Sequence, residues 1–247
     1  MCGRNSYHCV CHQEAGTITL QVKPMYMENQ AVALVYRCLF LAVCSVGLAL
    51  NFFIRQGRFD SESLVYYTNL SNLLCFIYFV PLVARMAISL RDGTGGVVTL
   101  FPRLKGALTL MIAVTILVYH FLLAGGKAPE YDGAHLQRWL ANTLLHYAAP
   151  AMVILDWVLF DPKHTFRVFD PLLWLIIPLL YAVFAFIRAE IGGEIRGRDS
   201  RFPYFFLDVD AIGWSGVLLY AGAFAVAFTA LGYIMLLLDR YAFGKLP

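Results

Sequence analysis

The chain has 247 residues, of which 60% are hydrophobic and only 14% are charged, and its mean hydropathy is +0.67. Soluble domains carry about 25% charged residues, so this composition excludes an ordinary water-soluble fold. The net charge of +3 is too small to indicate binding to nucleic acid. The length suits one all-α domain, a polytopic bundle of transmembrane helices with little chain left for a soluble module.

Six apolar segments approach or exceed the roughly 20 residues that a transmembrane helix needs. They cover residues 31–54, 63–87, 107–124, 139–160, 169–187 and 212–238. The sequence therefore predicts a six-helix domain over residues 31–240, between an N-terminal tail (1–30) and a C-terminal tail (241–247). Six spans put both termini on one side of the membrane, and a small excess of Lys and Arg on that side indicates the cytoplasm.

The N-terminal tail contains a short run of possible soft-metal ligands, His8, Cys9, Cys11 and His12. Their spacing matches no standard zinc pattern. A disordered tail without a metal is the alternative interpretation. We expect no metal centre and no cofactor elsewhere in the chain.

Polar residues inside the second span fall on one face of the helix. Thr68, Ser71, Asn72 and Cys75 recur at i, i+3, i+4 and i+7, which aligns them along one side. Such a face turns toward other helices rather than toward lipid. Hydrogen bonding between packed helices explains it without any ligand.

The fourth span contains a second polar group of residues. Asn142 and His146 are four residues apart and share a face. Asp156 lies about one turn from the cytoplasmic end of the same span, where it either reaches the interface or pairs with Arg37 or Arg85. We expect this carboxylate to be structural.

Depth in the membrane links the two groups. Thr68 lies about five residues inside the second span, or roughly 8 Å, and His146 about seven residues inside the fourth, or roughly 10 Å. A hydroxyl and an imidazole at equal depth form a nucleophile–base pair if their helices touch. His120 ends the third span on the same side, so a haem held by His120 and His146 is a further alternative.

The longest connection between spans, residues 188–210, carries many charges and an aromatic run at residues 202–206. Aromatic side chains often anchor a protein at the membrane interface. The alternative is a lid over a site between the helices.

Three motifs give the chain a family resemblance. Residues 67–73 read Tyr-Thr-Asn-Leu-Ser-Asn-Leu, residues 146–162 contain His-Tyr, Pro, Leu-Asp-Trp and Phe-Asp-Pro, and residues 202–208 read Phe-Pro-Tyr-Phe-Phe-Leu-Asp. In combination they resemble the androgen-induced-gene family and its bacterial branch, from residue 31 to the last helix. Members of that family are multi-pass threonine hydrolases of fatty acid esters of hydroxy fatty acids.

The resemblance implies an enzyme in which Thr68 is the nucleophile and His146 its base. It implies a lipid substrate, the lipid bilayer as partner, no nucleic acid, and a bacterial inner membrane. The chain departs from the family pattern in two ways. The hydrolases carry an acidic residue three positions after the threonine, where this chain has Ser71, and the spacing from His146 to Pro150 is one residue shorter here. The remaining candidates for contacting the substrate, its oxyanion or the base are Asn69, Asn72, Asn142, Tyr147, Ser71, His120 and Asp208.

A non-catalytic function is the alternative. The same polar residues would then line an intramembrane cavity of a lipid-binding or small-molecule-binding protein, or of a transporter. The sequence does not fix an oligomeric state.

Overall fold

The computed structural model describes residues 29–54, 57, 59–94, 96–127, 131 and 135–242. Every regular element in this part of the chain is helical, and six helices are long and apolar enough to cross a membrane. The predicted all-α six-helix membrane bundle is confirmed. We number the helices α1 Gln30–Phe53, α2 Tyr67–Arg91, α3 Pro102–Leu123, α4 Leu136–Phe160, α5 Asp170–Gly192 and α6 Val209–Tyr241. The possible metal ligands at residues 8–12 lie outside the described residues.

Helix starts differ from the hydropathy estimate because local chemistry sets them. α3 begins at Pro102, five residues early, since proline at the first helical position needs no hydrogen-bond acceptor for a backbone N–H. α2 begins at Tyr67 rather than at 63. The preceding residues Ser61–Val65 form a 3₁₀ turn, and Tyr66 between the two is extended.

Two side chains cap helices in the expected way. The Asn29 carboxamide accepts the N–H groups of the second and third following residues at the start of α1, and the Asp208 carboxylate does the same at the start of α6. Gly213 separates the first turn of α6 from the rest of the helix, because its backbone adopts non-helical angles of φ 67° and ψ 168°. The axis of α6 therefore changes direction one turn after its start.

The first four helices form the main hydrophobic core, and α3 is the most buried of the six. Over their apolar stretches α3 is 56% buried, whereas α5 and α6 are each 17% buried. Large buried side chains from α1 to α4 meet in this core, among them Phe40, Phe79, Ile112 and Leu145. α5 and α6 therefore pack at the edge of the bundle and present most of their surface to lipid.

The described residues contain four π-helical turns: Leu50–Ile54 at the end of α1, Val118–Leu123 at the end of α3, Leu144–Ala148 within α4 and Leu238–Ala242 at the end of α6. A π-turn inserts a residue into the helix and re-aims its side chains, and such turns often occur at functional sites. The turns in α3 and α4 carry the two membrane histidines, His120 and His146.

The two ends of the bundle differ in chemistry. At one end lies a cluster that we call the ion-pair cluster, made of Arg37, Lys105, Asp156 and Asp161, all at most 2% exposed. Arg37 Nε donates to Asp156 at 2.8 Å, and Lys105 Nζ contacts both carboxylates. Of the alternatives open for Asp156, the structure shows the pair with Arg37, while Arg85 is exposed. Two cations and two anions cancel, as a low-dielectric interior requires.

The other end is closed by the connection between α5 and α6, which we call the aromatic loop (residues 193–208). Its Phe202, Tyr204 and Phe206 rings are buried, so the loop packs onto the bundle rather than projecting into the interface. Arg201 fastens it by ion pairs to Glu190 in α5 and Asp210 in α6. This arrangement favours the lid interpretation over the interfacial anchor.

Candidate functional site

A cavity of about 520 Å³ lies beneath the aromatic loop, among α2, α3, α5 and α6. Ligand sites in proteins commonly have this size, with mostly apolar walls and a few polar groups. Most of the lining here is aliphatic or aromatic carbon. The side chains that bring a hydroxyl to the lining are Tyr67, Thr68, Thr115, Tyr119, Tyr181 and Tyr204.

Thr68 is the second residue of α2 and lies at the polar corner of this cavity. Its side chain is buried, at 6% exposure. Its backbone carbonyl accepts the Ser71 hydroxyl at 3.0 Å and the Asn72 carboxamide at 2.8 Å. These two bonds hold the first turn of α2 and so fix the direction of the Thr68 side chain.

Tyr204 from the aromatic loop is the hydroxyl neighbour of Thr68. Its oxygen accepts the backbone N–H of Tyr67 at 3.1 Å and hydrogen-bonds with Thr68. Burial raises the pKa of Tyr204 to about 12, and the hydrogen bonds with Thr68 oppose part of that rise. The phenol is therefore protonated at physiological pH, so it can donate a hydrogen bond beside the Thr68 hydroxyl.

The rest of the polar face of α2 packs against other helices. The Ser71 hydroxyl bonds with the Thr115 hydroxyl at 3.0 Å, and the Asn72 carboxamide donates to the Leu145 carbonyl at 2.9 Å. Ser71 therefore joins α2 to α3, and Asn72 joins α2 to α4. The packing interpretation is confirmed for these two residues, while Thr68 faces the cavity.

His146 lies just outside the cavity. Its Nδ1 is 3.1 Å from the Asn142 carbonyl. Because a carbonyl oxygen only accepts, Nδ1 carries the proton and Nε2 is the basic nitrogen. The Tyr119 ring stacks on the imidazole, with 3.7 Å between centroids, and also lines the cavity. In the described part of the chain no hydrogen bond joins His146 to Thr68.

The depths of Thr68 and His146 follow from the bond between α2 and α4. Asn72, one turn inward from Thr68, is level with Leu145, the residue before His146. His146 is therefore about five residues, or roughly 7.5 Å, deeper than Thr68. The sequence estimate of equal depth differs because it placed the helix starts at 63 and 139, whereas the helices begin at Tyr67 and Leu136.

The second membrane histidine has a partner of its own. His120 Nδ1 is 3.2 Å from the Tyr147 hydroxyl, while His146 is bonded to Asn142. Both contacts involve Nδ1, so they do not test the haem alternative, in which the iron would bind Nε2 of each imidazole. Within the residues that the structure describes, no three His, Cys, Asp or Glu side chains are grouped to hold a metal ion.

The other predicted contacts are engaged elsewhere. Asn69 donates to the Ser63 carbonyl at 2.6 Å and accepts from Asn51 at 2.8 Å, which ties the start of α2 to the end of α1. Asp208 accepts the Ser200 hydroxyl at 2.7 Å and caps α6 with its other oxygen. In the described part of the chain the hydrogen bonds of Asp208 therefore lie within the aromatic loop and the start of α6, and none of them joins it to His146. Of all the predicted site residues, Thr68 is the one that lines the cavity.

Sequence reasoning missed five polar residues of the site, Tyr67, Thr115, Tyr119, Tyr181 and Tyr204. The aromatic run did single out the segment that contains Tyr204. It did not show which rings point inward, because a run of aromatic residues looks the same in the sequence whether it lies at the membrane interface or is buried in the protein. Thr115 and Tyr119 lie in a continuous apolar span, where the sequence offers no sign of a cavity.

No family model, no curated protein and no solved structure matches the chain. The resemblance to the androgen-induced-gene family therefore stands on the three sequence motifs, and the function must be argued from the site itself.

Proposed function

We propose that the chain is an integral membrane hydrolase of lipid esters, of the type in which a fatty acid esterifies a hydroxy fatty acid. The observation that carries this proposal is the Thr68 hydroxyl at the polar corner of an otherwise apolar cavity of about 520 Å³. An acyl chain would fill the apolar part, and its ester group would meet Thr68. The motif resemblance and the Lys and Arg count support a bacterial inner membrane with cytoplasmic termini.

The reaction would proceed through an acyl-enzyme. Thr68 Oγ1 attacks the ester carbonyl carbon while His146 Nε2 takes the hydroxyl proton. The tetrahedral oxyanion accepts a hydrogen bond from the neutral Tyr204 phenol. Collapse of this intermediate breaks the ester C–O bond, and the leaving alcohol takes the proton from His146. A water molecule, deprotonated by His146, then attacks the carbonyl carbon of the acyl-threonine. The bond from that carbon to Thr68 Oγ1 breaks, the fatty acid leaves, and His146 returns the proton to Thr68.

His146 must approach Thr68 for this chemistry, and the Tyr119 ring lies between His146 and the cavity. Catalytic hydrogen bonds are often long without substrate and form only in the reacting complex. In our proposal the entering ester displaces the Tyr119 ring, which opens a path for the imidazole or for one bridging water.

Covalent labelling tests the assignment of Thr68. Wild type, Thr68→Ala and His146→Ala would be treated with a fluorophosphonate probe and assayed on long-chain esters. Thr109→Ala is the matched control, because Thr109 is a buried threonine whose hydroxyl bonds to the Lys105 carbonyl at 2.9 Å, away from the cavity lining. We expect Thr109→Ala to label and turn over like wild type, and Thr68→Ala to do neither.

The partner residues should give graded losses. His146→Ala should lower turnover by about 10²–10⁴-fold, the usual contribution of a positioned base. Tyr204→Phe should lower kcat by about 10²–10³-fold, as loss of an oxyanion donor does, with little change in KM. Absence of both labelling and turnover in well-folded wild type would reject the proposal that the chain is a hydrolase.

A non-catalytic lipid-binding or transport protein is the second candidate. The observation that favours it is the bonding of Thr68, whose hydroxyl neighbour among the described residues is the Tyr204 phenol rather than an imidazole. Binding or proteoliposome uptake that responds to Thr68→Val, without any covalent adduct in wild type, would support this candidate over the hydrolase.

A further inference from the structure

The cavity has its mouth on the side of the bundle, between α5 and α6. On α5 the lining residues Leu172, Ile176 and Leu179 are 47–63% exposed. On α6 the lining residues Ala221 and Ala225 are also exposed. A side chain that both lines a cavity and faces the outside marks an opening. These positions lie within the apolar stretches of two transmembrane helices, so the opening faces the hydrocarbon of the bilayer.

The two helices that border this mouth touch near both ends. At the ion-pair end, a Cβ on Gly232 would lie only 2.9 Å from Pro171 Cβ, so α6 rests directly on α5. At the aromatic-loop end the Phe186 and Trp214 rings stack with 5.3 Å between centroids. Pro171 and Phe186 are about 22 Å apart along the helix axis. The mouth lies within this interval, where alanine on α6 leaves room.

The shape and polarity of the cavity select one kind of occupant. Its hydroxyl-bearing side chains gather toward the Thr68 corner, and its lining contains no Asp, Glu, Lys or Arg. The α5 part of the wall, from Leu172 to Ala182, is about 15 Å long. These features fit one linear acyl chain with an ester or similar polar group at the Thr68 end. Because the described residues that border the mouth are apolar, the mouth offers water no polar route into the cavity.

We propose that a membrane lipid enters the cavity sideways from the bilayer, between α5 and α6, and that Ala221 and Ala225 keep this portal open. The inference rests on the proposed function only in taking a lipid as the occupant. It requires no catalysis. It also assigns Ala225 as a residue that determines which acyl chains can enter the cavity. A branched or second chain would meet the α6 wall at this position.

A probe that cannot be hydrolysed tests the portal independently of the chemistry. The probe is a palmityl ether with a diazirine at the far end of the chain, irradiated with the protein in phosphatidylcholine vesicles and located by peptide mass spectrometry. We expect cross-links on cavity residues near the ion-pair end, such as Leu172 and Phe228. Ala225→Trp should reduce them by about tenfold or more, because an indole fills the gap.

Ala227→Trp is the matched control, since Ala227 is an exposed alanine of α6 that does not line the cavity. It should leave the cross-links at wild-type level. Ala225→Leu gives a milder variant with a residue common on lipid-facing surfaces, and it should give an intermediate reduction. Equal cross-linking in Ala225→Trp, Ala225→Leu and Ala227→Trp would overturn the portal. Portal-dependent cross-linking without ester turnover would reject the hydrolase and retain the portal.

Discussion

The ion-pair cluster joins the helices of the main core through charges that have no contact with solvent. Arg37 comes from α1, Lys105 from α3, Asp156 from α4, and Asp161 directly follows α4. Replacing such a cluster with apolar residues is often tolerated, whereas removing one member leaves an uncompensated charge in a low-dielectric interior. The cluster therefore makes the relative positions of three helices depend on each of its residues.

Asp156→Asn should destabilise the protein by about 3–5 kcal/mol, because it keeps the volume of the side chain but leaves two cations facing one carboxylate. Thermal unfolding in detergent measures this as a lower midpoint temperature. Asp92→Asn is the control, since Asp92 pairs with Arg91 on the exposed surface, where such pairs contribute little. Equal midpoints for the two variants would contradict a stabilising role of the cluster.

Lys163, beside the ion-pair cluster, should make the stability depend on pH. Burial lowers the pKa of Lys163 from 10.5 to about 8, although Asp161 and Asp239 favour its charged form. Between about pH 8 and about pH 10.5 the unfolded chain still holds a proton that the native chain has released. The free energy of unfolding should therefore rise with pH across this window, and this lysine should contribute no slope below it.

Comparison of wild type with Lys163→Met isolates that contribution. Unfolding free energies measured between about pH 7 and about pH 10 should show a rise in wild type that the variant lacks. Lys127→Met removes an exposed lysine and should keep the wild-type rise. A wild-type slope in Lys163→Met would assign the dependence to other groups.

At the residue scale the sequence predicted some of these partners and missed others. The Asp156–Arg37 pair was accessible to sequence reasoning because both charges interrupt apolar runs that must be neutralised in a membrane. The hydropathy pattern places Lys105 in the connection before the third span. A lysine marks the end of an apolar segment in such a pattern, whatever ion-pair partners it has in the folded protein. Burial of Lys105 depends on Asp161, which is distant in the sequence, so the local pattern does not contain it.

The close contact between α3 and neighbouring aromatic side chains is clearest at Gly106. A Cβ at this position would lie 2.6 Å from the Phe166 ring and 2.7 Å from the Trp174 ring, both of which are buried. The glycine is required here for space, because α3 packs directly against one aromatic ring in the connection before α5 and one near the start of α5. Gly222 in α6 provides the contrast, since a Cβ there would meet nothing within 4 Å.

Gly106→Ala should destabilise the protein by about 1–3 kcal/mol, because the rings have to shift in a packed core. Gly222→Ala should be neutral or stabilising by up to about 1 kcal/mol, since alanine is the better helix former. Thermal unfolding of the two variants in the same detergent gives the comparison. Similar shifts of the two midpoints would show that helix propensity, and not packing, governs both positions.

At the scale of elements, hydropathy predicted the number and order of the helices. It misplaced several helix ends, because proline at the start of α3 and the 3₁₀ turn before α2 act through backbone geometry that an apolar count does not include. It also gave no sign of the π-turns that re-aim His120 and His146. The helix ends and the π-turns determine which side chains meet at the site. The sequence therefore predicted Thr68 as a site residue but not its neighbours.

The molecule as a whole divides into a tightly packed group, α1 to α4, and a looser pair, α5 and α6, that encloses the cavity against it. The ion-pair cluster lies at one end and the cavity beneath the aromatic loop at the other. Because the polar corner of the cavity is near one end only, a lipid of one leaflet reaches it more directly than a lipid of the other. The orientation of the bundle therefore determines which leaflet lies nearer to the Thr68 corner.

Cysteine labelling measures that orientation. In a background whose native cysteines are replaced, Thr94→Cys tests the connection between α2 and α3, and Asp199→Cys tests the aromatic loop; both side chains are exposed. These connections are separated by three spans, so a membrane-impermeant maleimide should label them from opposite sides. With cytoplasmic termini, Asp199→Cys should react in intact cells and Thr94→Cys only after permeabilisation.

Ala33→Cys provides the control, because Ala33 is fully buried in α1 and its thiol should react only after denaturation. Labelling of Thr94→Cys and Asp199→Cys from the same side would contradict the arrangement of the six spans. Labelling of Thr94→Cys alone in intact cells would keep the fold and invert its orientation. The Thr68 corner would then open toward the cytoplasmic leaflet.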